Sequence, residues 1–373
     1  MIRPPQMLGL IAAGIAVTAA GLWLVSRHVA DSALDGVGPV LPVKEDTLNS
    51  VTGLRIFKGD GSHTTLTRDA THWIVAERGY PADSGQVRKL LLDVSALQAE
   101  EQKTADPALY SKLGVEDPSG VQSTSTGLAI DINGSKQTLI IGKTFGTRGA
   151  YVRVAGHAQS VLATPQLAPD ADPRHWLDRS LLDIAADQIN EVDLKPQSGP
   201  DYSIKRSAAG ASDYVVSTVP KGRELTDASA PAAQAGALAG LQLDDVRKAA
   251  SVAAMAHASF HTRDGLVLAI AGIQDAEQRY ITVVAAPEAS AAQPAAQSGA
   301  RDLNARLSGW EFEIPAYRYD TLFRPLEQLL KPKSSAPAAA GALPHSAAAP
   351  AGLPFGTSGR ASGQDKPTPQ QSH

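Results

Sequence analysis

Gly142-Lys143-Thr144 ends like a phosphate-binding loop, where a glycine-rich backbone cradles phosphates ahead of a lysine. The full pattern needs a glycine five residues before Gly142, and Gln137 stands there. It also needs a helix to follow, whereas this segment runs from one strand pattern toward another. It reads as a strand end and a turn. His257 and His261, four apart, suit the paired ligands of a zinc helix, but that motif carries Glu after its first histidine and Ala258 is there. On a strand the two imidazoles share a face yet stand too far apart for one ion. No G-x-S-x-G elbow and no S-x-x-K pair occurs, so the common serine-nucleophile signatures are missing. Asp83, Glu100, Glu101, Asp244 and Asp245 fall where caps and solvated helix ends are expected, and nothing favours a glycosidase-like pair among them. Arg179, in Trp176-Leu177-Asp178-Arg179, reads as a local partner or cap rather than an anion site. Trp73, Trp176 and Trp310 read as core anchors. The residues therefore nominate no catalytic group, no cofactor-binding group and no metal ligand, and imply no cofactor.

The elements that would carry these residues repeat. Leu54-Arg55-Ile56 and Val192-Asp193-Leu194 open short alternating strands 138 positions apart, and Leu66-Thr67-Arg68 and Ile204-Lys205-Arg206 keep that offset. Turns at Gly59-Asp60-Gly61 and Ser198-Gly199-Pro200-Asp201 separate them. A third strand follows each hairpin, His72 to Val75 and Asp213 to Val216. Next comes a helix capped by Asp83 or Ser84, with Val87, Leu90, Leu91, Val94 and Leu97 in one stripe. The second copy has an Ala-rich helix opening near Pro231, with Leu238 and Leu241 inward. Further strands return at Leu128 to Ile132, Thr138 to Ile141 (turning at Asn133-Gly134), Tyr151 to Val154 and Ser160 to Leu162. In the second copy they are Phe260 to Thr262, Leu266 to Ile270 and Tyr280 to Val284. Connecting helices are expected from Asp106-Pro107 to Leu113 and from Asp172-Pro173 to Leu182, and a last amphipathic helix from Tyr319 to Leu330. The expected class is α+β: an N-terminal transmembrane helix, then two duplicated antiparallel units, each β-β-β-α-β-β-β with a helix on one face.

An apolar run from Met7 to Val25 is about long enough to cross a ~30 Å hydrocarbon core. It is too long for a signal-peptide core and lacks a clean cleavage site after it. The short stub with Arg3, against Arg27 and Lys44 on the far side, sets the N-terminus inside and the domain outside. No cysteine occurs in 373 residues, which suits an oxidising compartment. A net charge of -4 and 5% aromatics leave no footprint for nucleic acid. The expected organisation is a cytoplasmic stub at 1–6, an anchor at 7–26 and a linker at 27–48. A first unit follows at 49–186 and a second at 187–331, with a flexible insertion at 285–300. A disordered Pro/Ala-rich tail closes the chain at 332–373. The expected location is the inner membrane, single-pass, with the domain in the periplasm.

Several short motifs fall in one order: the Trp strand His72-Trp73-Ile74-Val75, Tyr80-Pro81-Ala82-Asp83 before the Leu-rich helix, Leu139-Ile140-Ile141-Gly142 and then Tyr151-Val152-Arg153. Trp176-Leu177-Asp178-Arg179-Ser180-Leu181-Leu182 and Trp310-Glu311-Phe312-Glu313-Ile314-Pro315 follow. In this the chain resembles a bacterial domain-of-unknown-function family of membrane-anchored proteins encoded beside gliding-motility-type ABC transporter components, over most of Val51 to Lys331. The resemblance supplies no catalytic residues. It implies a periplasmic accessory or scaffold protein, with permease and ATPase components of an ABC-transporter-like envelope complex as partners. The alternatives are a periplasmic module binding envelope glycan, lipid or a transported substrate, and a hydrolase with an unrecognised site.

Overall fold

The computed structural model describes residues 38–332, apart from 42–44, 71, 133, 208–212, 251–252 and 290–293. The expected anchor at 7–26 and the tail from 333 onward lie outside the described residues. Among the described residues, no helix is long and apolar enough to cross a membrane.

The first sheet holds ten strands: β1 (Gly38–Pro39), β2 (Val51–Lys58), β3 (His63–Arg68), β4 (Trp73–Val75), β5 (Tyr80–Pro81), β6 (Gln98–Gln102), β7 (Thr126–Ile132), β8 (Ser135–Phe145), β9 (Gly149–Val154) and β10 (Ser160–Thr164). Their order is β1-β6-β10-β9-β8-β7-β2-β3-β4-β5, antiparallel throughout. Helix α1 (Ser84–Ser95) is capped by Asp83, whose carboxylate accepts from the Gly85 and Gln86 amides. That satisfies two of the first-turn donors the helix cannot use itself. Val87, Leu90, Leu91 and Val94 are buried, as is Leu97 just beyond the helix. A second short helix, α2 (Tyr110–Leu113), closes on Gly114 at φ 69°.

A two-stranded ribbon joins β11 (Ser180–Leu182) to β15 (Leu241–Gln242). The second large sheet holds β12 (Ile189–Lys195), β13 (Tyr202–Arg206), β14 (Tyr214–Val216), β16 (Asp245–Lys248), β17 (Ala256–Thr262), β18 (Leu266–Asp275), β19 (Gln278–Pro287) and β20 (Trp310–Glu313). It runs β14-β13-β12-β17-β18-β19-β20-β16. Read beside β4-β3-β2-β7-β8-β9-β10-β6 in the first sheet, the connectivity is the same strand for strand. Leu54 faces Leu66 across β2 and β3, and Val192 faces Ile204 across β12 and β13. Helices α3 (Ala230–Ala235), α4 (Pro294–Leu307), α5 (Ala316–Leu322) and α6 (Leu326–Leu329) complete the fold. The architecture is a mostly antiparallel, sheet-rich α+β one with few helices. One apolar cluster runs through both sheets and includes Leu54, Leu128, Trp176, Leu194, Phe260 and Phe312. Each such side chain removed from water contributes about 1.5–3 kcal/mol.

Four expectations need correction. The described parts of the tract at 285–300, on either side of 290–293, are a strand end and a helix rather than a floppy insertion. Ala285 and Ala286 close β19, and α4 begins at Pro294 with Ala296, Ala300 and Leu307 buried. Alanine needs no apolar periodicity to pack, because its methyl lets a helix lie close on a sheet. Asn304 then fixes the approach by accepting from the Ala285 amide (2.9 Å) and donating to its carbonyl (2.7 Å). The helix expected from Asp172 to Leu182 is a single 3-10 turn, Pro173–Trp176, and Ser180–Leu182 is strand β11. The terminal helix breaks into α5 and α6 around Pro325, which lacks the amide a continuous helix needs. In the second copy the helix is only α3, followed by a 3-10 turn over Gly236–Leu238, and Leu241 lies on β15.

Candidate functional site

Charged and aromatic side chains gather where the two sheets meet. The turn after β4 needs a left-handed residue, which Gly79 supplies at φ 62°. That turn projects Arg78 onto Asp245 of β16. The two form a fork, Nε to Oδ1 at 2.6 Å and Nη2 to Oδ2 at 2.7 Å. Next along the chain, Tyr80 on β5 stands edge-on to Trp310 (5.2 Å between centroids) and to Phe312 (5.9 Å). Main-chain bonds continue the seam: the Asp83 amide donates to Trp176 O and the Asp178 amide to Pro81 O. On the other flank Arg306 of α4 donates to the Ser180 and Leu181 carbonyls.

A recess of about 300 Å³ remains, lined by Glu77, Arg78, Asp245, Arg247, Lys248 and Tyr280. Arg78, Asp245 and Arg247 are each held in ion pairs. Arg247 donates to Glu311 (2.7 Å) and Asp275 (2.8 Å) and lies 3.8 Å from the Tyr280 ring centroid. Glu311 is fully buried, and its other oxygen accepts from the Ala250 amide at 2.9 Å. Lys248 Nζ sits 3.3 Å from the Trp310 ring centroid. The hydrogen bonds that Arg78 donates to Asp245 raise its pKa. Desolvation alone would lower Arg247, but Asp275 and Glu311 outweigh it and the net shift is upward. Burial, reinforced by Asp245 and Asp244, raises the Glu313 carboxyl, and burial pushes the Tyr80 phenol up to about 12. Such a cluster holds two sheets together.

The residues considered from sequence fall as follows. Gly142-Lys143-Thr144 lies within β8. Lys143 Nζ donates to the Ser111 and Lys112 carbonyls (3.3 and 2.9 Å), and a Cβ on Gly142 would stand 2.4 Å from Leu113 O. The glycine is there because the α2 turn rests on the strand. His257 and His261 share a face of β17. His261 bridges two carboxylates, Nε2 to Asp193 at 3.1 Å and Nδ1 to Glu288 at 3.4 Å, on opposite sides of the ring, so the three do not converge on one point. Among the described residues, no group of three or more His, Cys, Asp or Glu is placed to hold a metal ion. Arg179 pairs with Asp244 and the Leu243 carbonyl, 65 and 64 residues away, so its partners are not the local ones expected. Trp73 and Trp176 are buried and Trp310 is half-buried.

Asp83 is a cap, but Glu100, Glu101 and Asp245 are strand residues rather than helix-end residues. In β6 only Ala99 is buried, so the apolar alternation that marks a strand is missing. Sequence reasoning missed the Arg78–Asp245 and Arg247–Glu311 pairs. Their partners lie 167 and 64 residues apart, and no local spacing signals them.

Taken together, these features define a two-sheet protein whose densest charge cluster is an internal fastening. The profile of a domain of unknown function, DUF4340, matches residues 73–259, half of the chain, and the protein belongs to that family. The match runs from β4 in the first sheet to β17 in the second, a narrower span than Val51 to Lys331. No curated protein and no solved structure matches the chain.

Proposed function

We propose that this protein is a non-enzymatic, single-pass accessory or scaffold subunit of an ABC-transporter-like envelope complex, with its folded body in the periplasm and its N-terminus inside. One observation carries the reading: the seam between the sheets is filled by Tyr80, Trp310 and Phe312 and fastened by Arg78–Asp245. A body closed in this way presents sheet faces and edges to a partner rather than a cleft to a substrate. The apolar run from Met7 to Val25 supports the anchoring, and the partner class rests on the resemblance carried by the motif order. Affinity purification of the tagged full chain from detergent-solubilised membranes tests it. Permease and ATPase components should co-purify. Recovery as a lone monomer would overturn the proposal.

A second reading, a periplasmic module for envelope glycan, lipid or a transported substrate, draws on a groove of about 850 Å³ between β6, β10 and the β8–β9 turn. Exposed Phe145 lies on one side and Arg148 beside it. A thermal-shift screen of envelope glycans and phospholipids on the full chain separates the two readings. A ligand that stabilises wild type but not Phe145→Ser would support the second.

A further inference from the structure

We propose that the outer face of the first sheet, across β3, β2, β7 and β8, docks an extended acidic segment of a partner protein. The proposal rests on the accessory reading above and names the chemistry of the partner.

The argument comes from comparing positions that the two sheets share. In β2, Gly53 faces Thr67 of β3 and Asp131 of β7, and Arg55 faces Thr65 and Ala129. In β12, Glu191 faces Lys205 of β13 and His261 of β17, and Asp193 faces Ser203 and Ser259. Gly53 thus corresponds to Glu191, Arg55 to Asp193, Thr67 to Lys205 and Asp131 to His261. The second sheet engages the groups of this face with one another: Lys205 pairs with Glu191 at 2.7 Å, and His261 contacts both Asp193 and Glu288. The first sheet does not. Arg55 is exposed, has no carboxylate within 4 Å among the described residues, and lies only against the Phe57 ring at 5.6 Å. Lys136 is exposed and in register with Asp131, yet forms no ion pair among the described residues. Asp131 is engaged instead with the Gly134 amide.

Small residues keep the face low. Gly53, Ala129, Thr65 and Thr138 line a trough of about 570 Å³, with Arg55 and Lys136 along it. Gly127, whose Cβ would stand 2.4 Å from the Phe57 ring, lets that ring lie flat on the sheet. Arg55 and Lys136 are two strands and two residues apart, roughly 12 Å from ~4.8 Å strand spacing and ~3.3 Å rise. An extended chain with carboxylates about four residues apart spans that distance at the same rise. The threonine hydroxyls can serve its polar groups, and Phe57 gives one apolar contact.

Segments of this chain itself do not fit. Asp35 is three residues before Gly38, a reach of about 10 Å, while β8 lies four strands from β1, about 19 Å away. After Lys331 the chain has one acidic side chain, Asp365. With Asp131 between them, Arg55 and Lys136 suit a segment with two spaced carboxylates rather than a densely charged anionic surface.

The test uses the full chain in detergent and a labelled peptide, Asp-Val-Thr-Val-Asp, followed by fluorescence anisotropy. Saturable binding is expected. It should weaken at least about tenfold in the Arg55→Gln/Lys136→Gln double variant and with the Asn-Val-Thr-Val-Asn peptide, and decline with salt. Lys205→Gln, on the equivalent face of the second sheet, should leave it unchanged. Absent binding, equal loss in Lys205→Gln, or full displacement by pyrophosphate at matched charge would overturn the proposal. Co-purification with the double variant separates this claim from the accessory reading. Partners retained by the double variant would refute this surface alone, whereas partners absent even from wild type would refute the accessory role.

Discussion

Gly142→Ala is the sharpest test of how the first sheet is assembled. The added methyl would meet Leu113 O at 2.4 Å, Gly114 O at 2.8 Å and Val115 Cγ1 at 2.8 Å. Two of these three are backbone oxygens, so no side chain can rotate to make room. Restoring ordinary contact requires the α2 turn to lift by about 1 Å, and that turn is held by Lys143 on the Ser111 and Lys112 carbonyls. Overpacking of this kind costs about 1–3 kcal/mol. At roughly 2–4 °C per kcal/mol for a chain of this size, Tm should fall by about 2–12 °C. Circular dichroism melts of the full chain in detergent give the number. Lys143→Gln, the change that would abolish nucleotide binding in a phosphate loop, should shift Tm by much less. A Gly142→Ala protein that melts with wild type, or a Lys143→Gln protein that melts lower than Gly142→Ala, would refute the packing account.

Arg78→Gln and Asp245→Asn should each destabilise, and a double-mutant cycle by urea denaturation should give a coupling of about 0.5–3 kcal/mol. Additivity would mean the fork contributes nothing to holding the sheets together. Glu313 has its carboxyl pKa raised by burial and by Asp245 and Asp244. Its ionisation therefore weakens the fold, and the protein regains that stability as pH falls through the raised pKa. Glu313→Gln should melt higher than wild type at neutral pH, with the gap closing in acid; a gap that widens in acid would contradict the assignment. Asn304→Ala removes both bonds to Ala285. It should cost about 1–3 kcal/mol, the penalty of leaving such groups unpaired, and hydrogen exchange should quicken first at Ala285.

How much of this was legible in the chain depends on the range of the signal. The 138-residue offset matched Leu54 to Val192 and Leu66 to Ile204, and the structure puts both matched pairs in equivalent hairpins, because strand alternation and turn residues are local. Asp83, Asp106 and Asp172 were readable as caps for the same reason. Short polar strands were not. β6, Gln-Ala-Glu-Glu-Gln, carries no strand pattern, since its place is set by β10 more than fifty residues away. The alanine-rich stretch misled at 294–300 because composition alone cannot tell a linker from a helix that packs through its methyl groups. The junction cluster stayed invisible: a fully buried Glu311 in Trp310-Glu311-Phe312-Glu313 looks like any alternating strand until Arg247 is brought to it.

Strand β1 gives the fold a mechanical character. Gly38 and Pro39 attach to the rim of the first sheet through two residue pairs, with Val40 and Leu41 tucked in behind them. A tug arriving from upstream is therefore delivered as a peel at one margin rather than a shear along a long ladder.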